Sequence, residues 1–134
     1  MIKDISFQRI NPGDPPRPLL EVALFNPHSG QKVRVIGLID TGADECAFPA
    51  SLANILGHSL ESGTKKQVST GGGKAVAYSH TISIEVNDFK TEDVLIDFIP
   101  GLEMPLLGVN SFLSNFILHI DYPRQKFSLK TPTN

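Results

Sequence analysis

Asp40 lies between the apolar stretch Gly37-Leu38-Ile39 and the small residues Thr41-Gly42-Ala43. A carboxylate set at the end of a hydrophobic segment is unfavourable unless its charge is hydrogen-bonded or used. The residues after it suit both ends. Gly42 removes a side chain beside the acid, so backbone N–H groups, water or a substrate can approach its oxygens. The Thr41 hydroxyl can donate and accept at once. Taken alone, Asp-Thr-Gly is also an ordinary turn, since all three residue types favour turns. Context separates the two readings: two apolar residues precede the acid, Ala43-Asp44 follow it, and a second apolar-apolar-Gly segment recurs downstream at Leu106-Leu107-Gly108.

Other chemistries have weaker support. Thr70-Gly71-Gly72-Gly73-Lys74 lacks the first Gly of a phosphate loop and the Ser or Thr that should follow its Lys. His28, His58, His80 and His119 stand in separate segments without ligand spacing, so no metal site is expected and no cofactor is implied. Glu45, Glu92, Asp93 and Glu103 carry no Thr-Gly or Ser-Gly signature and read as a solvated face. The single Cys46 reads as a small buried residue that cannot form an internal disulfide.

The elements that must position Asp40 are short. A chain of 134 residues with 10 prolines, 11 glycines and no tryptophan is sized for a single domain, residues 1–134, built from strands and turns. Its net charge of -2 gives no field for a phosphate backbone or anionic membrane, so neither nucleic acid nor membrane is an expected partner. MIKDISFQRI lacks the apolar run of a signal peptide and no segment is long enough to span a bilayer, which makes the cytoplasm the expected location.

Along the chain, residues 5–10 read as a short strand inside an N-terminal arm (1–16), and the Pro- and Gly-rich 11–18 as irregular. Segments 19–25 and 32–39 read as a hairpin whose second strand delivers Asp40. Leu52, Ile55 and Leu56 have helical spacing, with Gly57 as the stop. Residues 65–78 read as a hairpin tipped by Gly71-Gly72-Gly73, and 82–86 and 94–99 as further strands. Asn110 is a good cap for a short helix running to Phe116, after which a hairpin over 116–130 closes the chain.

With these residues in view, Leu38-Ile39-Asp40-Thr41-Gly42-Ala43-Asp44 resembles the active-site motif of retroviral aspartic proteases and their cellular and bacterial retropepsin-like relatives. Arg17-Pro18-Leu19, the glycines at 71–73, and Leu106-Leu107-Gly108 followed by Asn110 extend the likeness from Arg17 to Phe116. The resemblance implies an all-β, closed-barrel retropepsin-like domain with one or two short helices, working as a homodimer on a peptide or protein substrate. It implies an aspartic endopeptidase in which Asp40, Thr41 and Gly42 are catalytic, Thr41 interlocking with its symmetry mate. By the same resemblance Ala43, Asp44, Gly71, Gly72, Gly73, Leu107 and Gly108 are substrate-binding residues, with 65–78 acting as a flap.

Departures from that pattern are visible. Val109 stands where retroviral enzymes carry an Arg that pairs with the acid equivalent to Asp44, which leaves Asp44 to Arg17, Arg34 or solvent. Cys46 replaces the usual Thr or Ser, and both termini are longer than a minimal retroviral protease needs. A second reading, a catalytically silent module of the same fold that binds peptides or only dimerises, stays open because fold does not fix function.

Overall fold

The computed structural model describes residues 2–133. Eleven strands and one short α-helix follow one another: β1 Ile2–Ser6, β2 Leu19–Phe25, β3 Lys32–Ile39, β4 Ala47–Pro49, α1 Ser51–Ile55, β5 Thr64–Thr70, β6 Gly73–Val86, β7 Phe89–Lys90, β8 Val94–Ile99, β9 Leu106–Leu107, β10 Ile117–Asp121 and β11 Lys126–Lys130. The main sheet runs β2-β3-β9-β4-β8-β6-β5. Because β6 also pairs with β2, through Ala23↔Glu85, Leu24↔Ile84 and Phe25↔Ser83, the pairing closes on itself. A closed ring leaves no long free edge in this part of the molecule. No helix among the described residues is long and apolar enough to cross a membrane.

Period-two alternation sets which side each strand presents. In β8, Ile96 and Phe98 enter the main core with Phe48 of β4 and Ile82 and Ile84 of β6, while Ile99 belongs to a smaller cluster with Ala47 and Ala77. The main core extends to Ile2, Phe127 and Leu129, which come from a second sheet ordered β1-β11-β10. β5 lies outside the ring and is held by β6 from Thr64↔Ser79 to Thr70↔Gly73. This makes the β5–β6 hairpin a projection from the ring, with Gly71 and Gly72 at its tip and Gly73 at φ 117°, a conformation open mainly to glycine.

Two local expectations are corrected. The first strand covers Ile2–Ser6 and not residues 5–10. Ile2 pairs with Leu129 and Ile5 with Phe127, which places Ile2 at 4% exposure against 48% for Ile10. Its partner strand, more than a hundred residues away, decides the boundary. The second correction is the helix expected from Asn110 to Phe116, where only a 3-10 turn forms at Leu113–Asn115. Phe112 has φ -140° and ψ -61°, outside the helical region. The Asn110 side chain donates to Glu45 at 3.0 Å instead of capping. Phe112 and Phe116 also pack on each other and on Phe89, with centroids 4.6 to 6.2 Å apart.

Candidate active site

Asp40 is delivered by parallel pairing between β3 and β9, with Leu38 opposite Leu106 and Ile39 opposite Leu107. Leu38 N–H donates to Pro105 O at 2.8 Å and Asp40 N–H to Leu107 O at 3.1 Å. On its other side, Ile39 N–H donates to Pro18 O at 3.0 Å. Immediately after the strand the chain turns, and Ala43 N–H donates to Asp40 O at 3.3 Å. The turn and the candidate carboxylate therefore coexist. Asp40 is half-buried, and its Oδ1 accepts the Gly42 N–H at 2.9 Å.

Two glycines allow the close backbone approaches behind this turn. A Cβ at Gly37 would lie 2.8 Å from Leu107 Cγ, and one at Gly108 would overlap the Glu45 carbonyl. Leu107 and Gly108 are buried, so they form the backing of the Asp40 turn, and Leu106 is the residue of that segment that reaches the open side. Val109 N–H donates to Ala43 O at 2.8 Å and Asn110 N–H to Asp44 O at 2.6 Å, which ties residues 43–44 to the segment after β9.

Glu45, grouped above with solvated acids, has two partners. Asn110 Nδ2 donates to its Oε1 at 3.0 Å and Ser111 Oγ to its Oε2 at 2.8 Å. Ser111 Oγ in turn accepts the Cys46 N–H at 2.9 Å. Cys46 is buried beside them, with Gly108 N–H donating to its Sγ at 3.3 Å, and burial pushes its thiol up to about 11. The thiol is therefore neutral at ordinary pH and a poor nucleophile. Asp44 is exposed and takes part in no ion pair among the described residues, while Arg34 reaches Glu21 at 3.4 Å.

In front of this turn lies a cleft of about 810 Å³, with Asp40 and Gly42 to Glu45 on one wall and β5 and Gly71 on the other. Ala47, Ile99, Leu102 and Leu106 supply its apolar surface. Of the remaining expected site residues, Thr41 is exposed at the turn, and Gly72 and Gly73 are exposed at the hairpin tip without lining the cleft. Two charged residues that sequence reasoning passed over do line it, Lys66 and Asp97. Asp97 is only 5% exposed, receives Ser79 Oγ at 3.1 Å and pairs with Lys66 Nζ at 2.9 Å. An acid between Ile96 and Phe98 was the available signal, since a charge inside an apolar strand needs a partner.

A profile of the family described as "gag-polyprotein putative aspartyl protease" matches residues 29–115, well over half the chain and the whole of the Asp40 turn. Among solved structures, a retropepsin-like aspartic protease from Rickettsia conorii superposes with a TM-score of 0.67 at 21% identity, over 96% of this chain and 100% of that one. EIAV protease, solved with the inhibitor HBY-793, superposes with a TM-score of 0.51 at 20% identity, over 75% of this chain and 88% of that one. At these identities the likeness shows a retropepsin-like fold. No curated protein matches the sequence significantly.

Proposed function

We propose that this chain, which belongs to the gag-polyprotein aspartyl protease family, is one subunit of a homodimeric endopeptidase in which two Asp40 carboxylates activate a water molecule. The observation that carries the reading is Asp40 itself: a half-buried carboxylate anchored by the Gly42 N–H and opening on a cleft of about 810 Å³. Among the other acids in that cleft, Asp44 is exposed and stands outside the Asp-Thr-Gly segment, and two more are held by partners. Glu45 is bound by Asn110 and Ser111, and Asp97 by Ser79 and Lys66. One Asp-Thr-Gly acid per chain supports a symmetric pair about a two-fold axis.

In such a pair, like charges at close range cannot both remain ionised, so the dyad holds one proton. The ionised carboxylate removes a proton from water, and the water oxygen attacks the scissile carbonyl carbon. The protonated carboxyl donates its proton to the carbonyl oxygen, giving a tetrahedral gem-diol. Transfer of a proton to the amide nitrogen then lets the C–N bond break. Two carboxylates and water suffice for this sequence. The β5–β6 hairpin would close over the peptide, its rearrangement eased by Gly71 and Gly72, next to which a Cβ would meet almost nothing.

Digestion of an unbiased peptide mixture tests the reading. The purified chain should cleave, and Asp40→Asn should lower turnover by roughly 10³-fold or more, since it removes base and acid together. Cleavage that persists in a correctly folded Asp40→Asn protein would remove Asp40 from the mechanism.

A further inference from the structure

On the cleft floor, register brings three strands together around Asp97. Ala47 of β4 lies opposite Asp97, Asp97 opposite Ser79 of β6, and Ala77 of β6 opposite Lys66 of β5. Period two puts Ala77 and Ser79 on one face of β6, and Asp97 and Ile99 on the same face of β8. This face belongs to the cleft, because Ala47, Asp97 and Ile99 all line it. Ala47 and Ala77, each with only a methyl group, stand opposite Asp97 and Lys66 in the strand register.

The charge arrangement is uneven. Asp97 is buried to 5% exposure, and a lone carboxylate there would be strongly disfavoured. Its compensation comes from a movable source, since Lys66 sits on the projecting strand β5, outside the closed ring, and its side chain is 36% exposed. The ammonium group thus has water beside it as an alternative to the carboxylate. Every other charged residue lining the cleft is an acid, namely Asp40, Asp44 and Glu45, so Lys66 is its one cation among the described residues.

Resting on the reading of this cleft as a peptide site, we infer that Asp97 is a specificity-determining residue whose carboxylate forms the base of a subsite for a basic peptide side chain, lysine or arginine, taken in exchange for Lys66. The exchange is chemically even. One cation replaces another on the same carboxylate, so the buried acid is never left alone, while Lys66 moves into water with little loss. An arginine gains further, because its planar fork can engage both carboxylate oxygens where an ammonium offers a point charge. A glutamate would meet the field of Asp44, Glu45 and Asp97. An unbranched apolar side chain leaves Lys66 in place and gains only contacts with the neighbouring aliphatic groups.

The test reads binding without turnover. A fluorescent positional-scanning peptide library carrying arginine, norleucine or glutamate at each position in turn is titrated against the full chain bearing Asp40→Asn, and anisotropy is measured. At one position, arginine should bind roughly tenfold tighter than norleucine, with glutamate weakest. Adding Asp97→Asn should remove that difference, whereas adding Lys66→Gln should widen it, because the resident competitor is gone. Opposite signs separate a subsite from damage to the fold, which would weaken all peptides alike. Equal binding of arginine and norleucine at every position, or an arginine preference that survives Asp97→Asn, overturns the inference. Failure of the wild-type chain to cleave any peptide while the preference holds would sink the catalytic reading and leave the subsite standing. Cleavage without the preference would do the reverse.

Discussion

The backbone N–H of Gly42 donates to Oδ1 of Asp40 at 2.9 Å, and a side chain at position 42 would begin 3.3 Å from that same oxygen. One residue therefore both holds the carboxylate and keeps its approach clear. Ordinary turn geometry would tolerate an alanine here, since Gly42 is not among the residues with positive φ. What an alanine would change here is the space beside Asp40 Oδ1 and not the backbone conformation.

Gly42→Ala should consequently separate activity from stability. The methyl group leaves the N–H in place but crowds the Asp40 oxygen and the wall of the cleft. Unfolding in urea should shift by less than about 1 kcal/mol, within the range of a mild steric change. Peptide turnover should fall at least roughly tenfold, because about 1.4 kcal/mol of lost transition-state stabilisation is tenfold in rate. A variant as active as the parent would show that the approach to Asp40 runs from another direction.

Subunit mixing tests the two-fold site. If each active centre needs an Asp40 from both chains, wild-type protein equilibrated with excess Asp40→Asn protein should lose activity as heterodimers form. Specific activity should also fall on dilution as the dimer dissociates. Sedimentation at the assay concentration provides the control. Full activity in a sample sedimenting as monomer would rule out the shared dyad.

Ser111→Ala addresses the support beneath the site. Ser111 is 2% exposed, and its hydroxyl donates to Glu45 while accepting the Cys46 N–H. Removing it leaves a buried backbone donor unpaired and takes one donor from a half-buried carboxylate. A loss of about 1–3 kcal/mol in urea unfolding is expected for a buried polar group left unsatisfied. A change below about 0.5 kcal/mol would mean that water replaces the hydroxyl without penalty, the size typical of a surface substitution.

What sequence could and could not give follows the distance over which each feature is decided. Strands β2, β3, β8 and β11 fall at the residues where apolar alternation and flanking turn residues put them, because those signals are local. Helix α1 and its stop at Gly57, with φ 80°, are local in the same sense. The start of β1 depends on Leu129, and the missing helix at 110–116 depends on Glu45 drawing the Asn110 side chain away. The Asp40 turn was legible as a compact motif. The Asp97–Lys66 pair was not, since its members are 31 residues apart and meet only through the register of β5, β6 and β8.

The pH dependence of hydrolysis should be bell-shaped, and both limbs follow from the Asp40 pair. In the proposed pair the working state would carry one proton for two carboxylates, because a second negative charge beside the first is unfavourable. As pH falls, the ionised member also takes a proton and the base that activates water is lost. As pH rises, the shared proton leaves and the acid that protonates the carbonyl oxygen is lost. A statine-type inhibitor, whose hydroxyl occupies the position of the tetrahedral oxygen, should block turnover because the site is complementary to that intermediate. Cys46 supplies the internal control. Its thiol is held up at about 11 by burial, so it stays protonated across the working range, and thiol reagents should leave the rate unchanged at neutral pH. The raised thiol also sets a separate alkaline limit. Because the unfolded chain releases this proton from about 9 upward and the folded chain only near 11, the stability linked to Cys46 is complete below the lower value and declines between the two. Cys46→Ala should therefore shift the alkaline unfolding profile and leave the rate profile in place. A rate that climbs steadily to alkaline pH, or that is abolished by thiol modification of the folded protein, would contradict the paired-carboxylate mechanism.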